Sequence, residues 1–328
     1  MPDNQLVGKH LALHFSSVVL DAHCDTLTVL EDQERDLGER SARGHLDIPR
    51  LMQGGVQVQF FAAFIDPSFK RAPVLRALEL IDLYHRELER HGSLLQHVQS
   101  AGDLEKAAAA GKIASLLTLE GGEALAGELS VLRALYRLGV RGLTLTWNGR
   151  NELADGVGES GSGGGLTNFG KSVVREMNTL GMLVDVSHLA EPGFWDVLAA
   201  SGQPVIASHS NCRALCDHPR NLSDDQLRAL GRKGGVAGIT FVPEFLADRE
   251  AALEHVLNHI DHAVKVGGLD TVGLGSDFDG TDNLPHGLSD CTFYPEITRG
   301  LIERGYGEEP VRKILGGNFL RVIRQVLQ

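Results

Sequence analysis

The sequence predicts an α/β fold, a (β/α)8 barrel of the TIM type, and three observations carry the prediction. Eight short β-rich apolar runs recur along the 328 residues, helix-length segments separate them, and side chains able to bind metal stand where the runs end. The runs are nearly continuous in Val, Ile, Leu and Ala, which suits parallel strands covered on both faces. A doubly wound open sheet shares this alternation, and periodicity alone does not separate the two.

The runs are "SSVVLDAH" (16–23), "VQVQFFAAFI" (56–65), "IASLLTLE" (113–120), "RGLTLTW" (141–147), "MLVDVSH" (182–188), "PVIASH" (204–209), "GVAGITF" (235–241) and "TVGLGSD" (271–277). Between them, "VLRALELIDLYHRELERHG" places Leu75, Leu78, Leu80, Ile81, Leu83 and Leu88 on a broad helical stripe that stops at Gly92. "DQLRALGRKGG" follows the N-cap candidate Ser223, and "DREAALEHVLNHIDHAVKVGG" ends at Gly267 and Gly268. "FLRVIRQVLQ" reads as an amphipathic helix at the end, so helical additions are expected before and after the barrel. With no strong repeat and no charged linker, residues 1–328 read as one domain. The glycine-rich "GESGSGGG" (158–165) follows the fourth run, as a flexible surface loop or a lid over the barrel mouth.

Composition narrows the function. Apolar residues are 42% and charged residues 23%, ordinary for a globular chain, and the formal net charge is −12. With both signs interspersed and no Lys/Arg run, nucleic acid and anionic membrane surfaces are poor partners. The start "MPDNQLVGKHLALHF" lacks an apolar signal core, no run nears the roughly 18 apolar residues of a spanning helix, and no hydrophobic tail offers a lipid anchor. Cys24, Cys212, Cys216 and Cys291 form no dense framework, and the CxxxC of Cys212 and Cys216 has no matching pair. Reduced thiols in the cytoplasm are the expectation.

In a parallel barrel the strand ends meet at one mouth. His23 and Asp25 end the first run, Glu120 the third, His188 the fifth, His209 the sixth and Asp277 the eighth. A lone histidine at a strand end is more often a hydrogen-bonded structural residue, but six such groups on one face suit zinc, or less specifically manganese or iron. His23 and Asp25 would hold one ion and His188 and His209 a second, with Glu120 bridging. A metal pair about 3.5–4 Å apart holds a hydroxide as nucleophile at neutral pH. Asp277 would then serve as general base, with Asp279 of "SDFDG" as its rival. Cys24, between His23 and Asp25, should point to the opposite side of the strand and is no ligand. On the loop after His209, Arg213 and Arg220 each offer a planar fork for a carboxylate. Arg213 reads as a solvated surface residue.

The motifs "DAHCDT", "LEGGEAL", "LTLTWN", "NTLGMLVDVSHL", "VIASHSNCRAL…HPRNLSDDQ" and "GLGSDFDG" resemble, in order and over most of the chain, those of the membrane (renal) dipeptidase family of zinc peptidases. The resemblance implies a (β/α)8 barrel with two Zn2+ ions per chain, usually a homodimer, that hydrolyses dipeptides and accepts a D-residue at the C-terminal position. Carried over by motif, it implies His23 and Asp25 as the first zinc pair, Glu120 as the bridge and His188 and His209 as the second pair. It selects Asp277 over Asp279 as the acid/base, and Arg220 as the contact for the substrate carboxylate. One position departs. Mammalian members carry a histidine after "LTLT", where this chain has Trp147, whose indole donates one hydrogen bond and accepts none. Trp147 is therefore expected to reshape substrate binding, with Asn148 or Asn151 as a substitute donor.

The expected function is a cytoplasmic, zinc-dependent dipeptidase, a metallopeptidase that includes L,D-dipeptides among its substrates. The nearest alternative is another binuclear amidohydrolase, acting on N-acyl amino acids, cyclic amides or lactams. Barrels that bridge their metals with a carboxylated lysine need a lysine where this chain has Glu120. A catalytically silent binding protein is the third reading, and the complete ligand set argues against it.

Overall fold

In a computed structural model of the chain, residues 4–69 and 72–327 are described. The sequence readings of the two termini extend over residues 1–3 and 328, which lie outside that range. Among the described residues there are nine parallel strands: β1 (Val19–Asp21), β2 (Val56–Phe64), β3 (Leu95–His97), β4 (Ile113–Glu120), β5 (Gly142–Thr144), β6 (Leu183–Asp185), β7 (Ile206–Ala207), β8 (Val236–Ile239) and β9 (Val272–Leu274). Eight of them close in the order β1-β2-β4-β5-β6-β7-β8-β9, with Asp21 opposite Leu274 completing the ring. The expected barrel is therefore the observed one, and the open sheet is excluded.

The additional strand, β3, pairs with the first half of β4, Leu95 opposite Ile113, below the point where β5 begins opposite Thr118. At three residues it is too short to show a period. The barrel strands also end earlier than the apolar runs. Only Glu120 lies on a strand, while His23, Asp25, His188, His209 and Asp277 come after the last residue of theirs. His188 and Asp277 have φ of 64° and 66°, left-handed backbone that no strand contains.

Two apolar clusters hold the barrel. The larger fills the space between strands and outer helices, including Phe61, Leu117, Val184, Phe194 and Ile239. The smaller combines Leu20, Phe60, Leu116, Leu183 and Val236 from the strands with Phe319, Leu320 and Ile323 of the helix Asn318–Val326. Phe60 and Phe319 meet edge to face at 6.2 Å, so the last helix plugs the barrel end opposite the mouth. In the helix Pro73–Arg90, Leu80, Ile81 and Leu83 are buried but Leu75 and Leu78 are exposed, which corrects the predicted stripe. The helix Asp224–Arg232 has the expected Ser223 cap, reinforced by Gln226. No described helix is long and apolar enough to cross a membrane.

Candidate metal centre at the barrel mouth

Each strand delivers its side chain to the same place. Glu120 shares its face of β4 with Ala114 and Leu116 of the inner cluster, three and two alternations below. Beyond β1 the extended backbone continues, with Cys24 bridging to Phe278 and the Asp25 N–H donating to the Phe278 carbonyl at 2.9 Å. Alternation then sends His23 and Asp25 to the mouth and Cys24 outward, where its thiol reaches the Phe60 carbonyl at 3.3 Å. At Gly280 any side chain would strike the carboxylates of both Asp25 and Asp277. The "SDFDG" turn needs glycine there so that the two acids can converge.

The Glu120 carboxylate stands between two donor sets. Its Oε2 is 3.4 Å from His23 Nε2, which lies 3.4 Å from Asp25 Oδ2 and 3.8 Å from Asp277 Oδ1. Its Oε1 is 3.0 Å from His188 Nε2 and 3.6 Å from His209 Nε2. All six predicted residues therefore come together, every one of them buried. The Nε2 of His23 and Oδ1 of Asp25 are enclosed without a hydrogen-bond partner. Such orphaned atoms are costly unless they bind an ion, and a set of three imidazoles and carboxylates suits zinc. The residues fit the expected metals. A further convergence, Asp36, Glu87 and His91, lies outside the mouth, where Arg90 pairs with both carboxylates.

The electrostatics divide along the same line. Burial and then the neighbouring Arg220 bring His188 down to about 4, and burial with His23 takes His209 well below its usual value. Both imidazoles are neutral, as ligands must be. Burial also opposes charge on His23, but Glu120 and Asp25 outweigh it and raise His23 well above the ordinary imidazole range. Glu120, despite its burial, is held well below the usual carboxylate range, chiefly by His23. Burial pushes Asp277 up to about 8, with Asp25 and Glu120 adding to the rise. A carboxyl near neutrality is able to take and return a proton.

The predicted substrate residues border this centre. Asp25, Phe64, Glu120, Trp147, His188, Asp277 and Asp279 are among the lining of a cavity of about 170 Å³. Trp147 packs on Phe64 at 5.4 Å and beside His188 at 6.0 Å. Arg220 is buried, donates from Nη2 to the His209 carbonyl at 3.0 Å, and keeps its Nε without a partner. Burial lowers its guanidinium to about 10, while Asp277 and Glu120 oppose the shift. Arg213 instead pairs at 3.5 Å with exposed Glu191 outside the mouth, in line with its surface reading.

Several contributions were not read from the sequence. Asn148 uses its Oδ1 at 2.8 Å on His188 Nδ1, so it orients a ligand rather than facing substrate. Asn151 donates to the Leu145 carbonyl in its own segment and to Glu123 on the turn after β4. Asp279 accepts from Thr26 Oγ1 at 2.8 Å, from the His45 N–H at 2.6 Å and from Arg35, fixing the loop before Asp47 against the mouth. The glycine-rich stretch begins with a short 3-10 turn, Val157–Ser162, whose Val157 N–H is tied to the His188 carbonyl at 2.8 Å. The sequence signal for the carboxylates behind the ligands is their spacing: Asp21 precedes His23 in "DAH", and Asp185 precedes His188 in "DVSH".

Comparison with known proteins gives the same picture. The sequence profile of the family described as "Membrane dipeptidase (Peptidase family M19)" matches residues 8–328. A crystal structure of dipeptidase AC, a metallopeptidase of family M19, superposes with a TM-score of 0.88 at 30% identity, over 95% of this chain and 99% of the other. A metallopeptidase from Rhodobacter sphaeroides, solved with a phosphinate mimic of L-Ala-D-Ala, gives 0.87 at 28% identity over 94% and 99%. The probable dipeptidase PvdM from Pseudomonas aeruginosa gives 0.92 at 23% identity over 100% and 99%, a likeness of fold.

Proposed function

The chain belongs to the membrane dipeptidase family of metal-dependent peptidases, and from that premise we propose that it hydrolyses dipeptides, L,D-dipeptides among them, with two zinc ions. The observation that carries this reading is the placement of Glu120 between two donor sets, with Asp277 and Arg220 beside them. His23 and Asp25 would hold one ion, His188 and His209 the other, and Glu120 would serve both. Bound zinc would supply a water that is nucleophilic at neutral pH and would polarise the scissile carbonyl.

The protein's own groups do the rest. Asp277 accepts the proton that the attacking water gives up and returns it to the departing amine nitrogen, a transfer suited to its raised pKa. Arg220 binds the substrate's terminal carboxylate through the donor it has free. A longer peptide would have a peptide bond where that carboxylate sits, so dipeptides are the preferred length. Trp147 and Phe64 form the apolar wall against which a substrate side chain rests. The L-Ala-D-Ala mimic bound by the Rhodobacter sphaeroides relative supports a D-residue at the second position. A cytoplasmic location and a homodimer complete the proposal, the first supported by four free, buried cysteines and the second by family resemblance.

The test is amino acid release from a panel of L,L- and L,D-dipeptides by zinc-loaded protein, with Glu120→Ala as control. Release that vanishes in the variant is expected. No release from any dipeptide by metal-replete protein would turn the assignment towards N-acyl amino acids, cyclic amides or lactams. Light scattering on the same preparation tests the dimer.

A further inference from the structure

Behind His209 lies a chain of hydrogen bonds that neither the family assignment nor the proposed reaction uses. Asp185, the last residue of β6, is buried and receives four donors. Its Oδ1 accepts the backbone N–H groups of Ser187 at 3.0 Å and Ser208 at 2.9 Å. Its Oδ2 accepts the hydroxyls of Thr144, at 2.7 Å, and Ser208. Ser208 Oγ also lies 2.8 Å from His209 Nδ1. A hydroxyl has one proton, and Ser208 gives it to the carboxylate. The contact with His209 must then run the other way, with Nδ1–H donating to Ser208 Oγ. That leaves the His209 Nε2 lone pair directed at Glu120 Oε1 and His188.

The backbone around Ser208 is built to hold this relay still. A Cβ at Gly238 or at Gly275 would collide with the Ser208 carbonyl, so β8 and the end of β9 come close enough to clamp it only as glycines. The Ser210 N–H donates to the Gly238 carbonyl at 2.7 Å, which fixes the other side of His209.

We propose that Asp185, acting through the Ser208 hydroxyl, is a positioning residue that sets the His209 tautomer and so the metal affinity of the His188/His209 set. The inference rests on the reading of His188 and His209 as ligands of one ion. Outer partners of ligand histidines of this kind typically govern metal affinity by about 10–100-fold. Loss of the relay leaves His209 free to place its proton on Nε2, the nitrogen that must bind.

Two measurements test it. Zinc affinity is measured by competition with a chromophoric chelator on the full-length protein, wild type against Ser208→Ala and Asp185→Asn, with cobalt(II) absorption as the spectroscopic readout. In both variants one ion is expected to weaken about 10–100-fold while the other keeps its wild-type affinity. The cobalt band of the weakened ion should shift alone. Both ions bound at wild-type affinity, or weakened equally, would overturn the proposal. Nitrogen-15 NMR of the His209 ring in metal-free wild type stands apart from the behaviour of either variant. A proton on Nδ1 is expected, and a proton on Nε2 would overturn it. Wild-type protein that fails to bind two zinc ions would instead overturn the ligand reading itself.

Discussion

Asp21 on β1 and Asp185 on β6 occupy matching places in the two halves of the metal centre. Each is buried, and each accepts the N–H and the hydroxyl of a serine just past the end of a neighbouring strand: Ser276 for Asp21, both at 2.7 Å, and Ser208 for Asp185. Each serine directly precedes a functional residue, Asp277 or His209. The halves differ in what the arrangement reaches. Around Asp21 the serine hydroxyl accepts the Phe278 N–H at 3.1 Å and so fixes backbone. Around Asp185 it touches an imidazole, and Asn148 does the same for His188. One half holds its ligands through the main chain and places carboxylates against a histidine. The other holds two neutral histidines by their outer nitrogens. The same support can therefore serve either proton-rich or proton-free ligands, depending on which atom of the next residue it meets.

Glu120 faces both halves, so Glu120→Gln gives the largest effect. Both zinc ions should be lost and hydrolysis should fall to background; retention of one tight ion, read by elemental analysis, would show the halves to be independent. Asp277→Asn should keep both ions and lower kcat by about 10²–10⁴. An unchanged kcat with intact metal content would remove Asp277 from proton transfer.

Metal titration sharpens the contrast further. His23 is raised above the ordinary imidazole range, so at neutral pH an entering ion displaces its proton, whereas His188 is already neutral above about 4. Zinc binding in weak buffer should release a proton for the His23/Asp25 half and none for the histidines of the other. Affinity of the first half should rise about tenfold per pH unit through that window. Equal proton release by both halves, measured by calorimetry in buffers of different ionisation enthalpy, would erase the distinction.

The smallest effect concerns the support of the second half. His259, on the helix Leu253–Gly267, accepts the Cys212 N–H at Nδ1 and faces the Leu246 carbonyl with Nε2. Burial lowers it from 6.5 to about 4. As pH falls below 6.5 the unfolded chain takes up a proton that the folded site refuses. Stability, complete above 6.5, should therefore decline towards pH 4 by an amount of order 3 kcal/mol from this group. His259→Gln should flatten urea-unfolding free energy across that range, and an unchanged slope would assign the acid sensitivity elsewhere.

Much of this was legible in the sequence. The eight runs found the eight barrel strands, because buried parallel strands leave little choice but aliphatic residues. The six groups at the mouth were found because ligand chemistry restricts residue type and strand ends restrict place. Cys24 was excluded by alternation alone. Other features were hidden. Leu75 and Leu78 are as apolar as Leu80, and nothing local says that no neighbour covers them. β3 leaves only three residues of pattern. Asn148 was weighed as a substrate donor because nothing in "LTLTWN" says that it meets a histidine forty positions away.

With the family resemblance supplying the choice of Arg220 and Asp277, the sequence by itself determined the repeating strand and helix pattern and the inventory of candidate ligands. Those follow from side-chain chemistry and from periods of a few residues. The tertiary structure decided which imidazole nitrogen is held, how Glu120 divides its oxygens, and that Asp279 secures a loop. These depend on pairs up to 253 residues apart, such as Thr26 with Asp279. They meet only when the barrel closes with β1 against β9, since register around a closed sheet places each side chain relative to all the others.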